Sequence, residues 1–151
     1  MNHVVWPCVL LTLLTALSCS AAAGESGNRH LKVSAIVCDG AACLPASLRI
    51  WDGDTFIVDR TGVASEKIRI ANIDTPEIEG KCASESAAAI AAKHRLAQLV
   101  DGQSIRFHGT RLDRYSRRLA TIELASGQDV GATMVGDGLA RAWEGSRKPW
   151  C

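Results

Sequence analysis

Residues 67–77, KIRIANIDTPE, end in a turn dense with oxygen donors. Asp74 and Glu77 flank Thr75 and Pro76, and Arg69 stands just upstream. Proline fixes its own φ and drives Thr75 towards an extended conformation, so the two carboxylates sit in a defined turn. A hard cation needs oxygen ligands held in place, and a phosphate needs a planar fork of donors. This stretch offers both, although the same residues also compose an ordinary hydrated acidic turn. Two further clusters have the same character: Asp52-Gly53-Asp54-Thr55, and Asp113-Arg114-Tyr115-Ser116-Arg117-Arg118. Taken singly, DGDT reads as a hairpin turn, and the arginine loop reads equally as a basic edge that discourages strand pairing. The combination is more specific than any part.

The elements that must position these residues follow from pattern. Lys67, Arg69 and Asn72 alternate with apolar neighbours, which predicts a half-buried strand over 67–73. A short strand at 47–51 and its partner at 55–58 are joined by the Asp52-Gly53 turn, and Thr61-Gly62 leads into the third strand. Residues 82–100 lack Gly and Pro, and place Ala89, Ala92, Leu96, Leu99 and Val100 on one stripe. That predicts a helix ended by Asp101-Gly102. Strands at 104–108 and 119–124 follow, joined by the basic loop, then a short helix at 130–135. Five strands with a helix after the third predict a β-barrel with helices (α+β), a five-stranded Greek-key barrel of the OB type.

Composition sets limits. The chain has 151 residues and a formal net charge of +1, enough for one core and without a global basic footprint. Any attraction for polyanions must be local. Residues 9–17 are nearly all apolar and too short to span a bilayer, and Ala21-Ala22-Ala23 supplies a small-residue cleavage pattern. We expect a secretory signal over 1–23, cut after Ala23, in preference to a lipoprotein site at Cys19. The protein is then secreted or periplasmic, without stable membrane association, and a monomer. Export would leave Cys38, Cys43, Cys82 and Cys151, which admit three pairings. Cys38 and Cys43 flank the turn-like DGAA, so Cys38–Cys43 with Cys82–Cys151 is the pairing favoured. Residues 24–45 are expected as an arm carrying the first of these loops, with the loosely alternating 31–37 as an edge strand or part of that arm, and 46–151 as the barrel domain.

With DGDT at 52–55, IRIANIDTPE at 68–77, DRYSRRLA at 113–120 and GLA at 138–140, the chain resembles the staphylococcal nuclease-like thermonucleases, from about Ser47 to Arg141. The resemblance implies an OB-fold, Ca²⁺-dependent phosphodiesterase acting on DNA and RNA. Residue by residue, it implies that Asp54, Asp74 and the Thr75 carbonyl hold Ca²⁺, with Asp52 behind them as an orienting acid. It implies that Glu77 positions or deprotonates the attacking water. Arg69 and Arg117 would grip the scissile phosphate, and Arg114 and Tyr115 would contact the nucleotide. Cleavage in the family leaves a 5′-hydroxyl and a 3′-phosphate. Two departures stand out. Ser116 replaces the family's usual glycine, which costs roughly 1 kcal/mol if the position needs positive φ. The tail after Ala142 is short, lacks the family's base-pocket tyrosines, and has Trp143 instead. Competing readings are a non-catalytic OB module that binds nucleic acid or protein, and a disulfide-stapled structural domain of the cell envelope.

Overall fold

The alternation of buried and exposed side chains generates the walls of a closed barrel. In the computed structural model, which describes residues 30–151, the strands are β1 (Leu31–Asp39), β2 (Ala42–Ile50), β3 (Thr55–Arg60), β4 (Val63–Ile70), β6 (Ser104–His108) and β7 (Arg118–Leu124). They close in the order β1-β2-β3-β4-β7-β6. Two-residue strands β5 (Ile73–Asp74) and β8 (Arg141–Ala142) pair separately. Helices α1 (Ala83–Val100) and α2 (Val130–Gly136) complete the described chain. This is an OB-like barrel with helices, in which β4 and β7 run parallel and the other pairs, except β1–β6, antiparallel.

The strand count departs from expectation by one. Residues 31–37, expected as an edge strand or arm, belong to a strand paired on both sides: β1 pairs with β2 from Leu31↔Ile50 to Asp39↔Ala42, and with β6 on its other side. Strand β2 therefore starts at Ala42, not Ser47. It tolerates Pro45 because β3 pairs only with Ser47 to Ile50, so no ladder partner needs the missing N–H. A disulfide joins Cys38 and Cys43 across the β1–β2 hairpin. The expected signal segment, its cut after Ala23, and Cys19 lie outside the described residues.

A second departure falls inside the motif. The predicted strand over 67–73 ends at Ile70, and Asn72 adopts φ 64°, a left-handed conformation that Asn tolerates better than most residues. This turn lifts Ile73 and Asp74 out of the barrel wall and into the pair with β8. The acidic turn thereby leaves the barrel sheet instead of continuing it.

The core is filled by Leu48, Ile50, Phe56, Val58, Ile68, Ile70, Ile105 and Ile122, all at most 1 % exposed. Helix α1 closes one side with Ala89, Ala92, Leu96, Leu99 and Val100, the stripe read from its period. On β7, positions 118, 120, 122 and 124 are buried and the residues between them are not. That two-residue period separates two adjacent arginines. Arg118 turns into the barrel, where Nε donates to the Gly109 carbonyl at 2.6 Å and the fork reaches Asp39. Arg117 is left to face outward.

Candidate active site

Asp54 immediately precedes β3 in the DGDT turn, where its backbone N–H donates to Asp52 Oδ1 at 2.9 Å. The glycine in this turn is required by space. A Cβ on Gly53 would stand 2.7 Å from Ala92 Cβ and 2.9 Å from Thr75 Cγ2. The absent side chain lets α1 and the acidic turn close on DGDT.

Asp54, Asp74 and Thr75 are buried, at 3 %, 4 % and 2 % exposed. Thr75 binds Asp54 twice, its N–H and hydroxyl donating to Oδ2 at 3.0 and 2.9 Å. Thr55 Oγ1 donates to the other oxygen. Arg69, paired in register with Thr55, lies between the acids. Its guanidinium forms an ion pair with Asp54, approaches Asp74 Oδ1 at 3.7 Å and donates to the Ile73 carbonyl at 3.2 Å. Burial, and then the charge of Asp54, push the Asp52 carboxyl up to about 7.

Arg117 stands apart from this contact group, in the wall of the same open cleft of about 1620 Å³. Asp113 anchors it: Oδ2 accepts from Arg117 Nε at 2.8 Å and forms an ion pair with Nη2 at the same distance, while Oδ1 caps the backbone N–H groups of Tyr115 and Arg117. Tyr115 is exposed, with the Arg114 and Arg117 guanidinium carbons 4.8 and 5.3 Å from its ring centroid. Ser116 has φ 58°, the strained conformation anticipated for this position.

Glu77 also lines the cleft, and here the structure adds residues the motif did not contain. Arg147 pairs with Glu77 and donates to Asp74 Oδ1 at 2.8 Å. Trp150 Nε1 donates to Asp74 Oδ2 at 3.2 Å. A disulfide joins Cys151 to Cys82 at the start of α1. The signal for this placement was the cysteine pairing itself, since Cys82 follows Glu77 closely and its partner must bring the tail to the acidic turn.

The donor set suits a hard divalent cation: two buried carboxylates and an adjacent backbone carbonyl, with a third acid, Asp52, bonded to the Asp54 backbone beside them. Cys82, Glu85 and Cys151 also bring potential ligand atoms within 4.8 Å of one another. Both sulfurs there are consumed by the disulfide, so that trio offers no thiolate.

Residues 67–149 match the family described as Staphylococcal nuclease homologue. Over 97 residues the chain is 33 % identical to an uncharacterized endonuclease of Haemophilus influenzae, covering 64 % of this chain and 51 % of that protein. Over 96 residues it is 31 % identical to a thermonuclease of Staphylococcus intermedius, covering 62 % of this chain and 56 % of the relative. The chain thus spans about half the length of these two relatives. The match takes in the acidic turn, the arginine loop and all but the last residues of the tail, and on it this chain belongs to the staphylococcal nuclease homologue family.

Proposed function

We propose that the protein is an exported, Ca²⁺-dependent nuclease that hydrolyses phosphodiester bonds of DNA and/or RNA, acting as a monomer. The observation that carries this reading is the contact group of Asp54, Thr75, Arg69 and Asp74, of which Asp54 and Arg69 line a cleft that also holds Glu77 and Arg117. Hydrolysis of an anionic ester needs positive charge at the phosphate and a base for water, and Arg69, Arg117 and Glu77 offer both in one cleft. The relatives named endonuclease and thermonuclease point the same way.

Asp54, Asp74 and the Thr75 carbonyl would hold the cation, with Asp52 orienting Asp54. Bound there, Ca²⁺ would supply Lewis-acid charge to the phosphate oxygens. The residues of the chain perform the remaining tasks. Arg69 and Arg117 donate to non-bridging oxygens, a planar fork being better matched to phosphate than a lysine. Glu77 accepts a proton from water as the water oxygen bonds to phosphorus. The bond to the 5′ oxygen breaks, that oxygen takes up a proton from solvent, and the products are a 5′-hydroxyl and a 3′-phosphate. Arg114 and Tyr115 offer charge and an aromatic face to the neighbouring nucleotide. The two disulfides support export to an oxidising compartment, as does the targeting pattern over residues 1–23.

Glu77→Gln tests the assignment, since it keeps size and polarity but removes the base. Cleavage should fall on the order of 10²- to 10⁴-fold. A variant that cuts as well as the parent would end the proposed mechanism.

A further inference from the structure

Beyond β8 the chain forms a strap, residues 143–151, that lies against the acidic turn and returns to α1. The Trp143 N–H donates to the Asn72 carbonyl at 2.8 Å at one end, and the Cys82–Cys151 disulfide holds the other. Between these anchors, Arg141 stacks on the Trp150 ring at 3.7 Å and donates to the Pro149 carbonyl. The strap then engages both oxygens of Asp74: Arg147 takes Oδ1 and Trp150 takes Oδ2, while the second arm of the Arg147 fork pairs with Glu77.

From this geometry we infer that Arg147 is a tethered competitor of the divalent cation, and thus a positioning residue for the site. It neutralises Asp74 and Glu77 in the metal-free protein and must leave Asp74 before a cation can bind there. The inference rests on the reading of Asp74 as a metal ligand. A guanidinium donating to Asp74 Oδ1 at 2.8 Å occupies an oxygen the cation would use and repels the cation, so seating either one weakens the other. The two anchors keep the guanidinium at a high local concentration that free arginine in solution would not reach. Asp74 is buried, but the Arg147 side chain is 42 % exposed and that of Glu77 45 %, so the guanidinium can swing out to solvent when a stronger ligand takes Asp74. The strap therefore lowers the apparent cation affinity by the fraction of time it is seated.

Calorimetric titration with Ca²⁺ at one fixed pH tests this on the oxidised protein and on Arg147→Gln, Lys148→Gln and Asp74→Asn. Lys148 is the charge control, since it sits on the same strap but pairs only with Glu144. Arg147→Gln should bind Ca²⁺ about fivefold more tightly than the parent, Lys148→Gln within about twofold, and Asp74→Asn far more weakly. Cys151→Ser, which releases the strap at its far end, should move affinity in the same direction as Arg147→Gln. If Arg147→Gln binds no more tightly than the parent while Asp74→Asn still loses binding, the competition is overturned and the ligand assignment stands. If Asp74→Asn binds like the parent, or no protein binds, the ligand assignment falls and takes the inference with it.

Discussion

Arg117 is locked to Asp113, its Nε donating to Asp113 Oδ2 at 2.8 Å and its Nη2 in an ion pair with the same oxygen. The same carboxylate caps the backbone of the loop that carries the arginine. Asp113→Asn should keep those caps, because the amide oxygen still accepts, but loses the charge that fixes the guanidinium. We expect kcat/KM for nucleic-acid cleavage to fall by about tenfold, roughly 1.4 kcal/mol of transition-state stabilisation. The unfolding midpoint should shift little. An unchanged rate would show that Arg117 needs no such anchor.

Ser116, next to that arginine, adopts φ 58°. A side chain in this region is strained and glycine is not, so Ser116→Gly should stabilise the protein by about 1 kcal/mol. Chemical denaturation reads this as a higher midpoint at constant slope.

Gly53 shows the opposite case, where space and not φ demands the residue. In Gly53→Ala the new methyl would collide with Ala92 on α1 and with Thr75 on the acidic turn. Stability should fall by about 1–3 kcal/mol, and the Thr75 contacts to Asp54 should loosen with it. Equal stability in denaturant would mean that helix and turn move apart without cost.

Asp52 makes the metal-free protein sensitive to pH. Its carboxyl titrates near 7 in the folded chain, through burial and the Asp54 charge, against an ordinary value of 3.8. The folded state therefore holds this proton more tightly than the unfolded state. Its stabilising contribution is full below 3.8 and is lost as pH rises towards about 7. Asp52→Asn should melt higher than the parent at pH 8 in chelator, with the gap closing near pH 4. A gap independent of pH would contradict the assignment.

How much of this was legible depends on the range of the forces involved. Strand β6 and helix α1 were read to within a residue, because period and the Asp101-Gly102 stop are local signals. Strand β1 was read over 31–37 as an edge strand or arm, since its loose alternation does not say that both of its sides are paired, and the Cys38–Cys43 loop with Pro45 hid the first half of β2. The turn at Asn72 was hidden in a run that still looked like a strand. Asp54, Arg69, Asp74 and Thr75 were picked from motif alone, and the fold brings them into contact. Arg147 and Trp150 were missed as members of the site. Their contacts span more than seventy residues of chain, and no local periodicity encodes such a pairing.

The claim on which the account rests is metal-dependent cleavage. Oxidised protein should be incubated with supercoiled plasmid, and separately with RNA, in Ca²⁺ and then in excess EGTA, with folding checked in both. Loss of intact nucleic acid with Ca²⁺ and its survival in EGTA is the predicted result. Intact substrate in both conditions would contradict the nuclease reading and favour a binding module, and equal cleavage in both would contradict the metal site at Asp54 and Asp74.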